Sequence, residues 1–232
     1  MKKNILTSLV FVTIAFFAPA LSAAVELPPV VVGYFSPVPK ASFDEKIKPL
    51  FEKQTKNCTK CQIMNLTPYD EKGQFDKTAL EETLEKVPAE VKILFFDFNL
   101  KKSEVSPAVI EMVNKFPSRG ILIVAAAGGP ADQQPSSPLS KTVFGQVKDA
   151  FIIGELGERD RLFPYQGYFG PEMLTALRLP KEFQGQGVGP LLFTSRLASD
   201  YTRRSPQEWT SFIQDKKVKS RKLWLDLQDL FR

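Results

Sequence analysis

The stretch Arg119–Pro130 reads RGILIVAAAGGP, a continuous apolar run that ends on two glycines and a proline. An apolar run without alternating polar residues is typical of a strand buried on both faces, as in a parallel sheet. Glycine at the end of such a strand either turns the chain or lets a ligand approach the backbone closely. The stretch therefore predicts a central parallel strand whose carboxyl end is a turn or the floor of a cleft.

Other segments on either side of this strand extend the same pattern. Further strands are predicted at 30–35, 62–66, 91–100 and 150–153, and amphipathic helices at 42–57, 75–87 and 105–116. Two more helices are expected at 206–214 and 217–231, the first opened by a Ser205 cap, Pro206 and Glu208. Alternating strands and helices predict an α/β fold with three layers, a doubly wound and mostly parallel sheet with helices on both faces.

The N-terminus has the order of a secretory signal. Lys2 and Lys3 precede an apolar run over 5–17, and small residues follow up to Ala24. We expect cleavage after about Ala23, export to the periplasm or the medium, and a single domain over 24–232. The apolar run is short for a membrane span, and no later stretch of the sequence is long enough for one.

Composition narrows the classes of partner and cofactor. The net charge of +5 would fall by two without Lys2 and Lys3, and the basic run 216–222 is interpreted as a solvated helix face. No aromatic interleaving accompanies that run, so we expect no nucleic-acid partner. The sequence contains no histidine and only two cysteines, which predicts neither a metal site nor a cofactor.

The two cysteines, Cys58 and Cys61, are spaced as CTKC. In an exported protein, oxidation is the default, so we expect a disulfide that closes a turn between a helix and a strand. A redox-active pair is the alternative. It is less favoured because redox CxxC motifs open a helix after a strand, whereas this pair follows a helical pattern.

Four segments in order resemble the subtilases, the subtilisin-like serine peptidases. They are VKILFFDFNL at 91–100, GILIVAAAGG at 120–129, the passage from KDAFIIGELG to GYFGPEM at 148–173, and LFTSRLASDYT at 192–202. The resemblance covers about 28–215 and implies a peptide groove at the carboxyl ends of two strands. The positions that would line this groove are Phe98, Asn99, Leu100, Lys101, Lys102, Ala126, Ala127 and Gly128.

The resemblance also shows which catalytic parts are missing. Ser195 matches the nucleophile position, but Phe193 replaces the preceding glycine and Gly129 replaces the oxyanion asparagine. Tyr34 lies where an aspartate should orient the base, and no histidine exists to be that base. We therefore expect a pseudopeptidase that acts by binding a polypeptide or as a scaffold.

Two other functions stay open. An active serine hydrolase would need a non-standard base, either Glu45, which lacks a carboxylate partner because Pro49 stands four residues later, or Lys101 or Lys102. A lysine base needs burial, and two adjacent lysines at a strand end are expected to project into water. A thiol–disulfide protein using Cys58 and Cys61 is the second alternative.

Overall fold

The computed structural model describes residues 28–128, 137–156, 168–169, 175–183, 188–220, 224–227 and 231. Its main element is a seven-stranded sheet in which every neighbouring pair of strands is parallel. The strands are β1 (Val30–Phe35), β2 (Cys61–Asn65), β3 (Val91–Phe96), β4 (Leu122–Ala126), β6 (Ala150–Glu155), β8 (Thr175–Arg178) and β9 (Trp224–Asp226), in the order β2-β1-β3-β4-β6-β8-β9. A small second sheet pairs β5 (Ser137–Pro138) with β7 (Tyr168–Phe169).

The helices divide between the two faces of the sheet. They are α1 (Lys40–Ser42), α2 (Lys48–Gln54), α3 (Leu80–Glu85), α4 (Pro107–Lys115), α5 (Gly189–Asp200) and α6 (Pro206–Ser220). One core, here the α5 core, contains Tyr34, Phe95 and Phe193, and also residues of α2 and α6. The other, the α3–α4 core, contains Phe96, Leu84 and Val113. This arrangement confirms the predicted three-layer α/β fold, with a sheet that is entirely parallel.

Alternating residues of each strand enter opposite cores. In β3, Ile93 and Phe95 belong to the α5 core, whereas Leu94 and Phe96 belong to the α3–α4 core. The central strands are therefore apolar at nearly every position, with Lys92 in β3 and Glu155 in β6 as exceptions, and they appear in the sequence as nearly uninterrupted apolar runs.

The first predicted helix differs from its expected form around Pro49. The helical segment begins at Lys40, and a π-helical turn over Phe43–Ile47 precedes α2. Proline has no N–H to donate to a carbonyl one turn earlier, and the wider turn, closed by the Lys48 N–H on the Phe43 carbonyl, accommodates this loss. Ser42 lies inside the helical segment and makes no side-chain cap.

Two other helix predictions were wrong in extent or type. The helix expected from Phe75 begins at Leu80, because Phe75 forms an antiparallel bridge with Tyr69 and Asp76 caps the turn that follows. The helix expected over 217–231 does not form as such: α6 continues to Ser220, and Trp224–Asp226 pairs with β8 as an edge strand. Backbone pairing with the unpaired edge of β8 outweighs the local helix propensity of this segment.

The predicted cap and disulfide are both present. The Ser205 N–H donates to Glu208 at 2.7 Å, and the Glu208 N–H donates to the Ser205 hydroxyl at 3.3 Å. A disulfide joins Cys58 and Cys61 at the turn between α2 and β2, as predicted from the sequence.

Two predictions concern export and the membrane. The proposed signal segment over 1–23 lies outside the described residues. Within the described ranges, no helix combines the length and apolarity needed to cross a bilayer.

Phe193 offers a test of the packing of α5 on the sheet. Its ring is fully buried, with centroids 5.8 Å from Phe151 and 5.5 Å from Phe231. Because the substitution leaves a cavity in a close-packed core, Phe193→Ala should lower the free energy of unfolding by about 3–5 kcal/mol in urea denaturation. The matched control, Phe212→Ala on half-buried α6, should lose clearly less; equal losses would contradict this packing.

Candidate functional site

Polar residues gather where β1, β3 and β6 end, on the α5 side of the sheet. Open parallel sheets leave a crevice at the carboxyl ends of their strands, and ligands commonly bind there. We call this place the strand-end crevice and define it by Tyr34, Ser36, Asp97, Asn99 and Glu155. The hydrogen bond of Asp97 with Tyr34, a residue of the α5 core, places Asp97 on this side of the sheet, whereas Phe96, Phe98 and Leu100 pack on the α3–α4 core.

Asp97 and Tyr34 form the centre of the crevice. The Tyr34 hydroxyl donates to Oδ2 of Asp97 at 3.0 Å, and the Tyr34 side chain is fully buried. Removal from water raises the pKa of the partly covered Asp97 carboxyl to about 7. Hydrogen bonds from Tyr34 and Ser36 lower that pKa, and the negative charge of Glu155 raises it. Burial, followed by the Asp97 charge, moves the pKa of Tyr34 far above its usual range, so this hydroxyl remains a donor.

Glu155 connects the crevice to the helix above it. It is only 4% exposed, and its Oε2 accepts a hydrogen bond from the Gly189 N–H at 2.8 Å. Gly189 is the first residue of α5, so this carboxylate satisfies a backbone donor that the helix itself cannot pair. A Cβ at position 189 would lie 3.1 Å from Oε2, a tight contact that would require a small shift of the Glu155 side chain.

Asn99 is the unusual member of the crevice. It is 3% exposed, and within the described part of the chain neither its Oδ1 nor its Nδ2 has a hydrogen-bond partner. Buried amides are nearly always paired, so an unpaired one at a strand end indicates a place where another molecule could supply the partner.

The structure places Ser195 away from the crevice. It is the seventh residue of α5, fully buried, and its hydroxyl donates to the Leu191 carbonyl one turn earlier at 2.8 Å. Thr194 is bonded in the same way to Pro190. Six residues of helix span about 9 Å, which separates Ser195 from the helix end that faces the strand ends.

The other positions taken from the resemblance have separate surroundings. Phe193 is a core residue, and Tyr34 is the partner of Asp97. Gly129 lies outside the described residues. Glu45 is exposed on its helix. The joined Cys58 and Cys61 lie at the amino end of β2, whereas the crevice is at the carboxyl ends of the strands.

The predicted peptide groove is partly filled by the protein itself. Phe98 is 1% exposed and packs on Phe75 and Phe96, so its side chain belongs to the core. The Val143 N–H donates to the Leu100 carbonyl at 2.9 Å, and Lys101 bridges Thr142. An extended peptide could not pair with those backbone groups. Lys102 is half-buried in a 3-10 turn, Ala126 and Ala127 are buried, and Gly128 is partly exposed.

Sequence reasoning missed Asp97 and Glu155 as site residues. Each is the first charged residue after a buried apolar run: Asp97 directly follows β3, and Glu155 is the last residue of β6. In a parallel sheet these positions meet at one edge, so the signal was present in the sequence.

Three solved protease structures have a similar fold. A point mutant of the protease domain of PatA superposes with a TM-score of 0.57 at 14% identity, covering 87% of this chain and 94% of that chain. The prenylagaramide maturation protease PagA gives 0.54 at 12% identity, with coverages of 88% and 92%. The chain has the subtilisin-like protease fold. A lanthipeptide protease gives 0.53 at 12% identity, covering 82% of this chain and 79% of that one. No protein-family model matches the sequence, and no curated protein does.

The raised pKa of Asp97 predicts a pH-dependent stability. Between its unfolded pKa of about 4 and its folded pKa of about 7, the folded protein binds the extra proton. The free energy of unfolding should therefore fall as the pH rises through this window and then level off. Urea titrations from pH 4 to 8 should show this slope, and Asp97→Asn should lack it.

Carboxyl-carbon NMR titration provides a direct measurement of the same group. Tyr34→Phe removes a hydrogen bond that lowers the Asp97 pKa, so the midpoint should move upward in that variant. A midpoint near 4 in the unsubstituted protein would contradict the placement of Asp97 described above.

Proposed function

We propose that this protein binds polypeptides on a subtilisin-like fold without hydrolysing them. Its fold is that of proteases, which supports a peptidase-related role. The observation that carries the proposal is Ser195, whose hydroxyl is buried within α5 and bonded to its own helix.

The composition adds a second, independent argument. Serine-type hydrolysis needs a base to take the hydroxyl proton, and the sequence has no histidine. The substitutes considered from the sequence are poorly placed: Glu45 is exposed, and Lys101 is joined through its backbone to Thr142. An active hydrolase is therefore the weaker candidate.

Binding does not need these catalytic groups. The crevice keeps a small-residue floor at Ala126 and Gly128, beside an unpaired buried amide at Asn99. A polypeptide can be held there by hydrogen bonds and one side-chain pocket, even though Leu100 and Lys101 are occupied. The binding surface is therefore narrower than the groove expected from the sequence and is limited to Asn99, Ala126 and Gly128.

Export is part of the proposal. The charged, apolar and small-residue order of the first 24 residues supports it, and a disulfide between Cys58 and Cys61 is compatible with an oxidising compartment. A thiol–disulfide activity gains no support from the crevice, because the joined pair lies at the amino end of β2.

Cleavage and binding assays on one preparation test the proposal. The purified protein should not cleave casein or a peptide-library substrate above the background of Ser195→Ala, because the serine is sealed and has no base. Peptide-array binding should be the same for both proteins. Proteolysis that disappears in Ser195→Ala would overturn the proposal, and so would the absence of binding to any peptide.

A further inference from the structure

We propose that the strand-end crevice selects polypeptides through one guanidinium group, the side chain of an arginine, held by Asp97 and Asn99. This inference rests on the proposed polypeptide binding and names the side chain that is recognised.

The charges in the crevice are the first step. Among the described residues, the groups that act on the Asp97 carboxyl are Tyr34, Ser36 and Glu155, and none of them is a cation. Tyr34 and Ser36 are hydroxyl donors, and Glu155 adds a second negative charge. A carboxylate that has lost water is stabilised when a cation comes within hydrogen-bonding distance, so a positively charged group is favoured beside Asp97.

Asn99 is the second, independent step. Its side chain is 97% covered and has no partner within the described ranges, and it follows Asp97 by two residues, between Phe98 and Leu100, which both pack on the α3–α4 core. A guanidinium has five N–H donors in a planar fork, so it can donate to a carboxylate and to an amide oxygen at once. An ammonium group lacks this fixed geometry, which is why we choose arginine over lysine.

The small size of the side chains at the end of β4 is the third step. β4 lies between β3 and β6, with Phe96 beside Ala125 and Ala126 beside Ile153. Ala126 and Gly128 share the α5 face by alternation, since Leu122 and Val124 belong to the α5 core. These small residues separate Asp97 from Glu155, so no large side chain of β4 covers the position that the guanidinium would take.

The test compares two fluorescein-labelled peptides, Ala-Ala-Arg-Ala and the same peptide with citrulline for arginine. Citrulline has nearly the same shape but no charge. Fluorescence anisotropy at pH 8 and low salt should give a Kd at least about tenfold lower for the arginine peptide, since a close charge pair is lost in the other. Asp97→Asn should abolish this difference, and the exposed control Asp215→Asn should preserve it.

A second variant separates recognition from stability. Asn99→Leu removes a buried unpaired amide, so the protein should be at least as stable in urea, yet it should lose part of the preference for arginine. Unchanged preference in Asn99→Leu would overturn the assignment of Asn99, even if Asp97→Asn failed to fold.

The pH dependence gives a third readout. Ionisation of Asp97 between pH 6 and 8 should strengthen binding of the arginine peptide and leave the citrulline peptide unchanged. Equal binding of the two peptides at pH 8 would refute arginine selection while leaving polypeptide binding intact. Binding of neither these peptides nor any array peptide would refute both proposals.

Discussion

The hydrogen bond between Glu155 and Gly189 fixes the position of α5 on the sheet. It joins the carboxyl end of β6 to the first turn of α5, where a Cβ at position 189 would come within 3.1 Å of Oε2 of Glu155. Because a helix advances about 1.5 Å per residue, the position of this first residue determines which later side chains meet the strand ends and which enter the core. Phe193 and Ser195 enter the core as a result. The chemistry available at the crevice therefore depends on a structural contact outside the serine motif.

The crevice combines features that destabilise the folded protein when no ligand is bound. Asp97 loses water beside another carboxylate, and Asn99 is buried without a partner in the described structure. Both residues follow β3, whose last two residues, Phe95 and Phe96, are packed in the two cores. A rigid strand thus presents polar groups that the protein itself leaves incompletely compensated, an arrangement typical of sites that complete their interactions with a ligand.

The strands of the central sheet were predictable from the sequence, because burial on both faces produces continuous apolar runs. The bounds of β1 matched, and the other strands expected from apolar runs were each found within a few residues. Elements decided by distant partners were harder. Trp224–Asp226 becomes a strand only because β8 offers an edge, and the π-helical turn reflects a backbone accommodation around Pro49. Local propensity contains neither fact.

For the candidate site, the sequence pointed to the carboxyl ends of the strands, but the polar residues that gather there differ in part from those expected. Tyr34 and Asn99 were among the positions expected there, whereas attention to a serine motif gave Ser195 a position that α5 buries. Asp97 has no counterpart among the catalytic positions of the subtilase pattern, although it is the first charged residue after β3. Phe98 was assigned to a groove although its alternation with Asp97 directs it into the opposite core.

The strand order has a consequence for how the sheet is assembled during synthesis. From β1 outward, the strands β3, β4, β6, β8 and β9 are added to one growing edge in the order in which they leave the ribosome. No strand on that side must be inserted between two already paired neighbours, so folding can proceed vectorially. At each stage the last strand added is an open edge that another polypeptide could pair with, and Trp224–Asp226 covers the edge of β8 when it is added.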